Sequence, residues 1–329
     1  MSNYDVIGIG NAIVDVIAPA DDMFLDQMGI EKGIMQLIGR ERAELLYSSM
    51  KDRTETPGGS VANTIAGLGA LGLSTAFIGK VKDDALGRFY ASGMAQAGTA
   101  FPNPPMPNAA APTSRSMIFV SPDGERSMNT YLGAGADIGR ADVDAAVFEG
   151  GKILFLEGYL FDKDEGKTAF TEAAHQMKAA GGRSSITLSD PFCADRHRTD
   201  FKQLIAEGMD ITLGNVAEWK TLYETDDLDA ALDQAAAACD IVVCTRSGDT
   251  VIIRQGDTRI EVPVHRVTPV DATGAGDQFA AGFLFGLATG RDLDTAGRMG
   301  VIAAAEVIGH VGPRPKVSIK TLFEEAGLL

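Results

Sequence analysis

Positive charge is what this chain has least of: 29 Lys and Arg stand against 45 Asp and Glu, a formal net charge of −16. Nucleic acids and anionic membranes both demand a basic face, so neither is expected as a partner. A small phosphorylated molecule stays admissible, because a few well-placed donors suffice for it. Cysteine is scarce as well. Cys193, Cys239 and Cys244 form no Cys-x-x-Cys pair, and an odd count argues against a disulfide framework. No apolar run approaches the ~20 residues of a membrane-spanning helix. The opening Met1-Ser-Asn-Tyr-Asp5 has no basic n-region, so the expected compartment is the cytoplasm. The four histidines, His175, His197, His265 and His310, share no metal-ligand spacing, which argues against zinc. No Gly-x-Ser-x-Gly string offers a hydrolase nucleophile. The dinucleotide fingerprint that begins at Gly8 and Gly10 fails at Ile13, and Val14, Val16 and Ile17 continue as strand. Gly166-Lys-Thr168 resembles the end of a P-loop, whose first glycine would fall at Phe161.

What the chain does have is ordinary globular composition, 45% apolar and 22% charged, over 329 residues. That length supports one large or two ordinary domains. From residue 150 onward, strand and helix patterns alternate regularly. Strands are predicted at 153–156, 185–188, 209–213, 241–244 and 251–254. Helices are predicted near 165–180, 198–207, 216–223, 228–238, 276–289 and 294–308. Apolar strands alternating with helices imply an α/β fold, a mostly parallel sheet with helices on both faces. Earlier in the chain, a buried strand at 4–10, another at 74–79 and a helix from 84 to 97 fit the same scheme. Interrupting it are extended pieces at 12–17 and 33–38 and a hairpin around Ser121-Pro-Asp-Gly124. These pieces predict a small β-sheet lid. The division places 1–11, 50–105 and 135–329 in a large α/β domain, and 12–49 and 106–134 in the lid.

The chemistry concentrates in Asp271-Ala-Thr-Gly-Ala-Gly-Asp277, which runs into an apolar helix bearing Phe279, Ala280, Phe283 and Leu284. Gly274 and Gly276 let a ligand approach bare N–H groups at a helix start, a ready anion site. Asp277 in the first turn is either a helix-stabilising acid or a base beside a bound phosphate. Thr56-Pro-Gly-Gly-Ser-Val-Ala-Asn63 opens a second glycine-led helix, with Asn63 one turn in. Asn11 and Asp15 flank the end of the first strand, as turn caps or as ligand contacts. Asn215 and Glu218 are three apart past a strand, a capping box or a phosphate and metal pair. Thr245 to Gly248 is a polar glycine turn, a plain hairpin or a nucleotide contact. Arg126, beyond the Gly124 turn, is either solvated or a neutraliser of phosphate. Phosphoryl transfer accounts for these parts together, since it needs charge neutralisation, positioned oxygens and a base.

Together these strings resemble the ribokinase-like (PfkB-type) family of carbohydrate and nucleoside kinases, nearly end to end. The resemblance implies Asp277 as catalytic base, with Gly274, Ala275 and Gly276 as anion hole. It implies that Gly58 and Gly59 hinge the lid and that Asn63 binds the acceptor. Asn215, Thr245, Gly248 and Arg126 would contact ATP, and Glu218 would hold Mg²⁺ through water. Within the family the adenosine kinase branch is most similar: Gly10-Asn-Ala-Ile-Val-Asp15 resembles its opening motif, implying that Asn11 and Asp15 hold ribose hydroxyls. Ile13, Gln36, Leu132 and Tyr159 fall at positions similar to those that enclose its purine. Thr273, where animal adenosine kinases carry asparagine, is more like the sugar-kinase form, and with Asp271 implies a monovalent-cation site such as K⁺. The resemblance therefore predicts a cytoplasmic ATP- and Mg²⁺-dependent kinase acting on the 5′-hydroxyl of adenosine. The runner-up acceptor is ribose, fructose or a related sugar. A binding protein that kept the fold without catalysis is the reading from another class. The small sheet is compatible with a monomer or with a homodimer paired through it.

Overall fold

A computed structural model describes residues 4–264 and 266–329. Fourteen strands occur in chain order among them. They are β1 (Val6–Ile9), β2 (Ile13–Pro19), β3 (Met35–Leu37), β4 (Thr54–Gly58), β5 (Thr75–Ile78), β6 (Thr99–Ala100) and β7 (Ser114–Val120). The remainder are β8 (Arg126–Tyr131), β9 (Ile153–Glu157), β10 (Arg183–Thr187), β11 (Ile211–Asn215), β12 (Ile241–Thr245), β13 (Val251–Gln255) and β14 (Thr258–Val262). Nine of them form one sheet in the order β14-β13-β12-β11-β10-β9-β1-β5-β6. Every neighbouring pair is parallel except β12–β13 and β13–β14, so only β13 runs against the rest.

The strands of this sheet are apolar on both sides because helices cover both. Phe77, Phe155, Leu213 and Val243 pack on one face with Ile65, Phe279 and Phe283. Ile7, Leu154, Ile186 and Val242 pack on the other with Phe170, Phe201 and Trp219. From β1 the chain builds outward to β5 and β6, then returns to place β9 on β1's other side and builds away through β10 to β12. The switch of direction therefore falls between β1 and β9. Sheets of this kind leave a crevice there, past the carboxyl ends of the strands.

The other five strands form the small sheet, in the order β3-β8-β7-β2-β4. The predicted hairpin is observed as β7 and β8. Thr54–Gly58 departs from the sequence division, which left 50–105 wholly in the large domain: it pairs along β2 as an edge strand. Pro57 made it read as a turn, yet an edge strand tolerates proline because one side of its backbone needs no partner. Short or polar pieces were also passed over: β6, the edge strand β14, and the helices Asp22–Met28, Ala145–Phe148, Pro191–Arg196 and Ile319–Glu325. The outer face of the small sheet carries Val14, Val16, Ala18, Met117 and Phe119, which join one core with Leu25, Ala43 and Leu46. Those last three lie on the helices Asp22–Met28 and Arg40–Ser49, so the chain covers this face itself.

Close packing behind the C-terminal motif depends on small residues. The helices Ala275–Ala288 and Leu293–Val307 cross so tightly that a Cβ on Gly282 would stand 2.4 Å from the Met299 carbonyl oxygen. Gly282→Ala forces the backbones apart, and we expect a loss of roughly 1–3 kcal/mol in urea unfolding. A variant as stable as the parent would show that this crossing tolerates separation.

Candidate active site

Two glycine-led helices start on the same cavity of about 360 Å³, lined by Gly59, Ser60, Asn63, Tyr159, Asn215, Glu218, Thr245 and the 274–277 turn, among others. The helix Ser60–Ala70 has Gly59 as N-cap and Ala275–Ala288 has Gly274, and neither glycine has a side chain with which to cap its own helix. Both glycines are compelled. Gly59 has φ +100° and a Cβ would lie 2.2 Å from the Asn11 carbonyl oxygen, whereas Gly274 has φ +80° and backs onto Pro313. The first turns of two converging helices, where among the described residues only the Val61 N–H is taken by a buried carboxylate, give the cavity a positive lining without a basic side chain.

Asp277 sits where the two helices meet. Ser60 Oγ–H donates to its Oδ1 at 2.7 Å, and Asn63 Nδ2–H to its Oδ2 at 3.0 Å. Burial pushes its pKa up to about 6, held back by those two donors and by Arg314. Asn63 therefore spends its N–H group on the carboxylate, and its Oδ1 accepts from Arg314 Nε–H at 3.3 Å. Thr64 Oγ–H donates to the Asp277 carbonyl, and Gln278 Nε2–H to the carbonyls of Asn63 and Pro313. The helix pair and the C-terminal segment are thus stitched around one carboxylate.

Asn11, just past β1, is buried, and its backbone N–H and its Nδ2–H both donate to Glu157 Oε1 at 2.8 Å. Glu157 Oε2 accepts from the Val61 N–H at 3.0 Å. Burial raises the Glu157 pKa to about 7, with Asp277 adding a repulsive charge. Sequence reasoning missed this glutamate, having ended the strand one residue short of it. An acid closing the apolar run Ile-Leu-Phe-Leu was the available signal. Arg314 was missed too.

The small sheet's register decides which of its residues face the cleft, since paired residues share a face. Arg126 does, because its Nη1 donates to Asp271 Oδ2 at 2.8 Å and to Thr273 Oγ1 at 2.5 Å. One row of that face reads Ile17, Ile118, Met128, Met35 across β2, β7, β8 and β3. The next reads Asp15, Ser116, Thr130, Leu37, with Ser116 and Thr130 hydroxyls bonded to each other at 2.9 Å. Ile13 follows in β2 on this face, and Leu132 is half-buried just past β8. Gln36 is a correction. It points to the opposite, helix-covered face, where its Nε2–H donates to Asn129 Oδ1. The strand's alternation puts Met35 and Leu37 inward instead.

Asp15 lies against Gly58, where a Cβ would stand 2.3 Å from its Oδ2. Burial raises its pKa to about 7, opposed by Arg126 and Arg314 and reinforced by Asp277. Arg126 is not solvated: its side chain is 11% exposed, and its Nε and Nη2 are buried without a partner. The two residues read as a monovalent-cation site both hold its guanidinium, so the positive charge at that point is the lid's own. Burial would raise the Asp271 pKa, but donors from Gly312 and Thr273 and the Arg126 charge bring it below the usual value.

Asn215 and Glu218 form a reciprocal capping box, in which Asn215 N–H and Nδ2–H donate to the two Glu218 oxygens at 2.8 and 2.6 Å. Glu218 is buried, and burial raises its pKa to about 7. Glu218 lines the cavity, and a carboxylate oxygen can accept more than one hydrogen bond, enough to take a metal-bound water. Among the described residues no cluster of three or more His, Cys, Asp or Glu could hold a metal ion. A metal shared between phosphate oxygens, water and one carboxylate fits this donor set. Tyr159 lines this cavity beside Glu218, its hydroxyl donating to the Ser189 carbonyl at 3.2 Å. Thr245 reaches the cavity, whereas Gly248 is in the turn that carries β12 into β13.

A lid over glycine-led helix starts, with an acid at their junction, describes a small-molecule phosphotransferase. Residues 31–320 match the pfkB family of carbohydrate kinases, and the chain belongs to that family of ATP-dependent kinases. Such kinases use ATP with Mg²⁺. The fold superimposes on a probable sugar kinase from Rhizobium etli with a TM-score of 0.92, at 44% identity over all of both chains. An adenosine kinase from Sinorhizobium meliloti gives 0.91 at 46% identity, covering 98% of this chain and 99% of that one. A 5-dehydro-2-deoxygluconokinase from Shouchella clausii is 25% identical, over 98% of this chain and 96% of its own. No helix among the described residues is long and apolar enough to cross a membrane.

Asp15, with its folded pKa raised above the unfolded value, favours the native state while protonated. That contribution is complete near pH 4 and is lost as pH rises toward about 7. Asp15→Asn should therefore be more stable than the parent at pH 8, by a margin that shrinks toward pH 5 in urea unfolding. A margin independent of pH would contradict the raised pKa.

Proposed function

We propose that this kinase transfers the γ-phosphoryl group of ATP to the 5′-hydroxyl of a ribonucleoside, with adenosine as the preferred acceptor. The observation that carries the choice is the cleft face of the lid. Its apolar row, Ile17, Ile118, Met128 and Met35, suits the flat face of a base. Its polar neighbour, Asp15, Ser116 and Thr130, suits ribose hydroxyls. A free sugar presents hydroxyls on every side and would leave the apolar row unsatisfied. The Sinorhizobium meliloti adenosine kinase, similar over nearly the whole chain, supports the same choice.

In this reading Asn11, Ile13, Asp15, Gly58, Gly59, Asn63 and Leu132 shape the acceptor side. Asn215, Thr245 and Gly248 serve the nucleotide, and Glu218 holds Mg²⁺ through water. When bound, the metal neutralises charge on the phosphate oxygens. Asp277 takes the proton of the 5′-hydroxyl as its oxygen bonds to the γ-phosphorus. The bond from that phosphorus to the bridging oxygen breaks, and ADP departs with the electron pair. The N–H groups of the 274–276 turn meet the charge that develops on the moving phosphoryl group. Arg126 brings two unpartnered N–H groups to the same place once it leaves Asp271.

The sugar-kinase reading stays in play through the Rhizobium etli neighbour and the curated relatives, which include a fructokinase from Vibrio alginolyticus. Turnover measured side by side with adenosine, inosine, ribose and fructose separates the two. We expect kcat/KM for adenosine to exceed that for either sugar by on the order of 100-fold or more. A preference for fructose or ribose would replace the nucleoside assignment, and no turnover with any acceptor would favour a binding protein. Asp277→Asn should lower kcat by roughly 10²- to 10⁴-fold while ATP still binds. Near-parental turnover in that variant would remove Asp277 as the base.

A further inference from the structure

Arg314 lies in the Gly-Pro-Arg-Pro segment that follows the helix Leu293–Val307. It is a half-buried cation near two carboxyls. Its guanidinium lies near the Tyr90 phenol and the Asp15 and Asp277 carboxyls, and burial lowers its own pKa against the charge of those carboxyls. Its Nε–H donates to Asn63 Oδ1 at 3.3 Å, and Asn63 Nδ2–H donates in turn to Asp277 Oδ2 at 3.0 Å. Its Nη2 meets only the Met94 sulfur, at 3.8 Å.

An asparagine amide has a donor end and an acceptor end of nearly equal size, so packing alone does not fix which way it points. Here its two neighbours do. A guanidinium can only donate and an ionised carboxylate can only accept, so one orientation satisfies both contacts and the flipped one breaks both. We infer that Arg314 is a positioning residue for the base: through Asn63 it holds a donor on Asp277 Oδ2, while Ser60 holds one on Oδ1. Each carboxylate oxygen then keeps a lone pair directed at the acceptor hydroxyl.

The charge of Arg314 matters as much as its hydrogen bond. The titratable groups around Asp277 are Asp15 from β2, Glu157 and Tyr159 at the end of β9, and Arg314 from the C-terminal segment. Two of these four are carboxyls, and burial keeps the Tyr159 phenol neutral. The other cation near the site, Arg126 from the small sheet, is engaged with Asp271. Removing Arg314 leaves Asp277 facing two buried carboxyls with no compensating charge, and protonation becomes easier.

The inference rests on the reading of Asp277 as base, and the experiment separates the two. Arg314→Met and Arg314→Lys are assayed for kcat, KM and pH dependence with adenosine and MgATP, with Asp277→Asn alongside. In the methionine variant we expect the acid limb of kcat to move up by about one pH unit. Starting from a base near 6, that shift lowers kcat roughly ten-fold at pH 5 and only about two-fold at pH 7, while KM for ATP changes less than about two-fold. Lysine, which keeps the charge, returns the limb most of the way. In an Asn63→Ala background the methionine change costs clearly less than in the parent, because part of its action passes through the amide. An inactive Asp277→Asn together with an unshifted acid limb in the arginine variants overturns the role of Arg314 alone. A fully active Asp277→Asn overturns the assignment of the base. Should Arg314→Met fail to fold, the lysine variant and the Asn63→Ala cycle made on it carry the same comparison, and additivity there counts against the proposal.

Discussion

A carboxylate shut away from water must be met by donors, and Glu157 takes its donors from two separate elements. The backbone and side chain of Asn11 meet one oxygen, and the first turn of the helix Ser60–Ala70 meets the other. Those contacts tie the end of β1, the end of β9 and a helix start together at the point where the sheet changes direction. That tie holds one of the two helix starts that line the cavity. Gly10 must be glycine for it, since a Cβ there would fall 2.6 Å from Glu157 Oε2. Breaking a buried, multiply bonded acid leaves unpaired donors behind, which is why such contacts hold geometry firmly.

From that anchor the arrangement of charge follows. Asp15, Glu157 and Asp277 are all held above their ordinary pKa values by burial. A cluster of buried acids is costly on its own, and the positive first turns of two helices offset it without a lysine in the cavity lining. The two arginines divide the remaining work. Arg314 stands behind Asp277, and Arg126 reaches from the small sheet onto Asp271. A guanidinium tied to an aspartate yet holding two unused donors is suited to exchange that partner for phosphate oxygens.

Much of this was legible from the sequence because it is local. The hairpin of β7 and β8 announces itself through alternation and a Ser-Pro-Asp-Gly turn, and glycines mark both helix starts within a few residues. What escaped was set by contacts far along the chain. Glu157 and Asn11 are 146 residues apart, and Arg314 and Asn63 are 251 apart, so nothing near either charge signals its burial. Gln36 failed for a different reason. Residues 34–38, Ile-Met-Gln-Leu-Ile, are apolar on both sides of the glutamine, so parity could not be read from hydrophobicity. Only pairing with β8 fixes it. The capping box at Asn215 and Glu218 was one of two readings on offer, and its geometry leaves both in force.

The central claim is that one carboxylate, prepared by its neighbours, receives the proton of a nucleoside 5′-hydroxyl. The most direct measurement is a crystal structure of the enzyme with adenosine and a non-hydrolysable ATP analogue. The account predicts the 5′-oxygen at about 2.6–3.2 Å from the Asp277 carboxylate, with the base on the Ile17–Ile118–Met128–Met35 row. Adenosine bound with its 5′-oxygen out of reach of Asp277, or with its base away from that row, would contradict it.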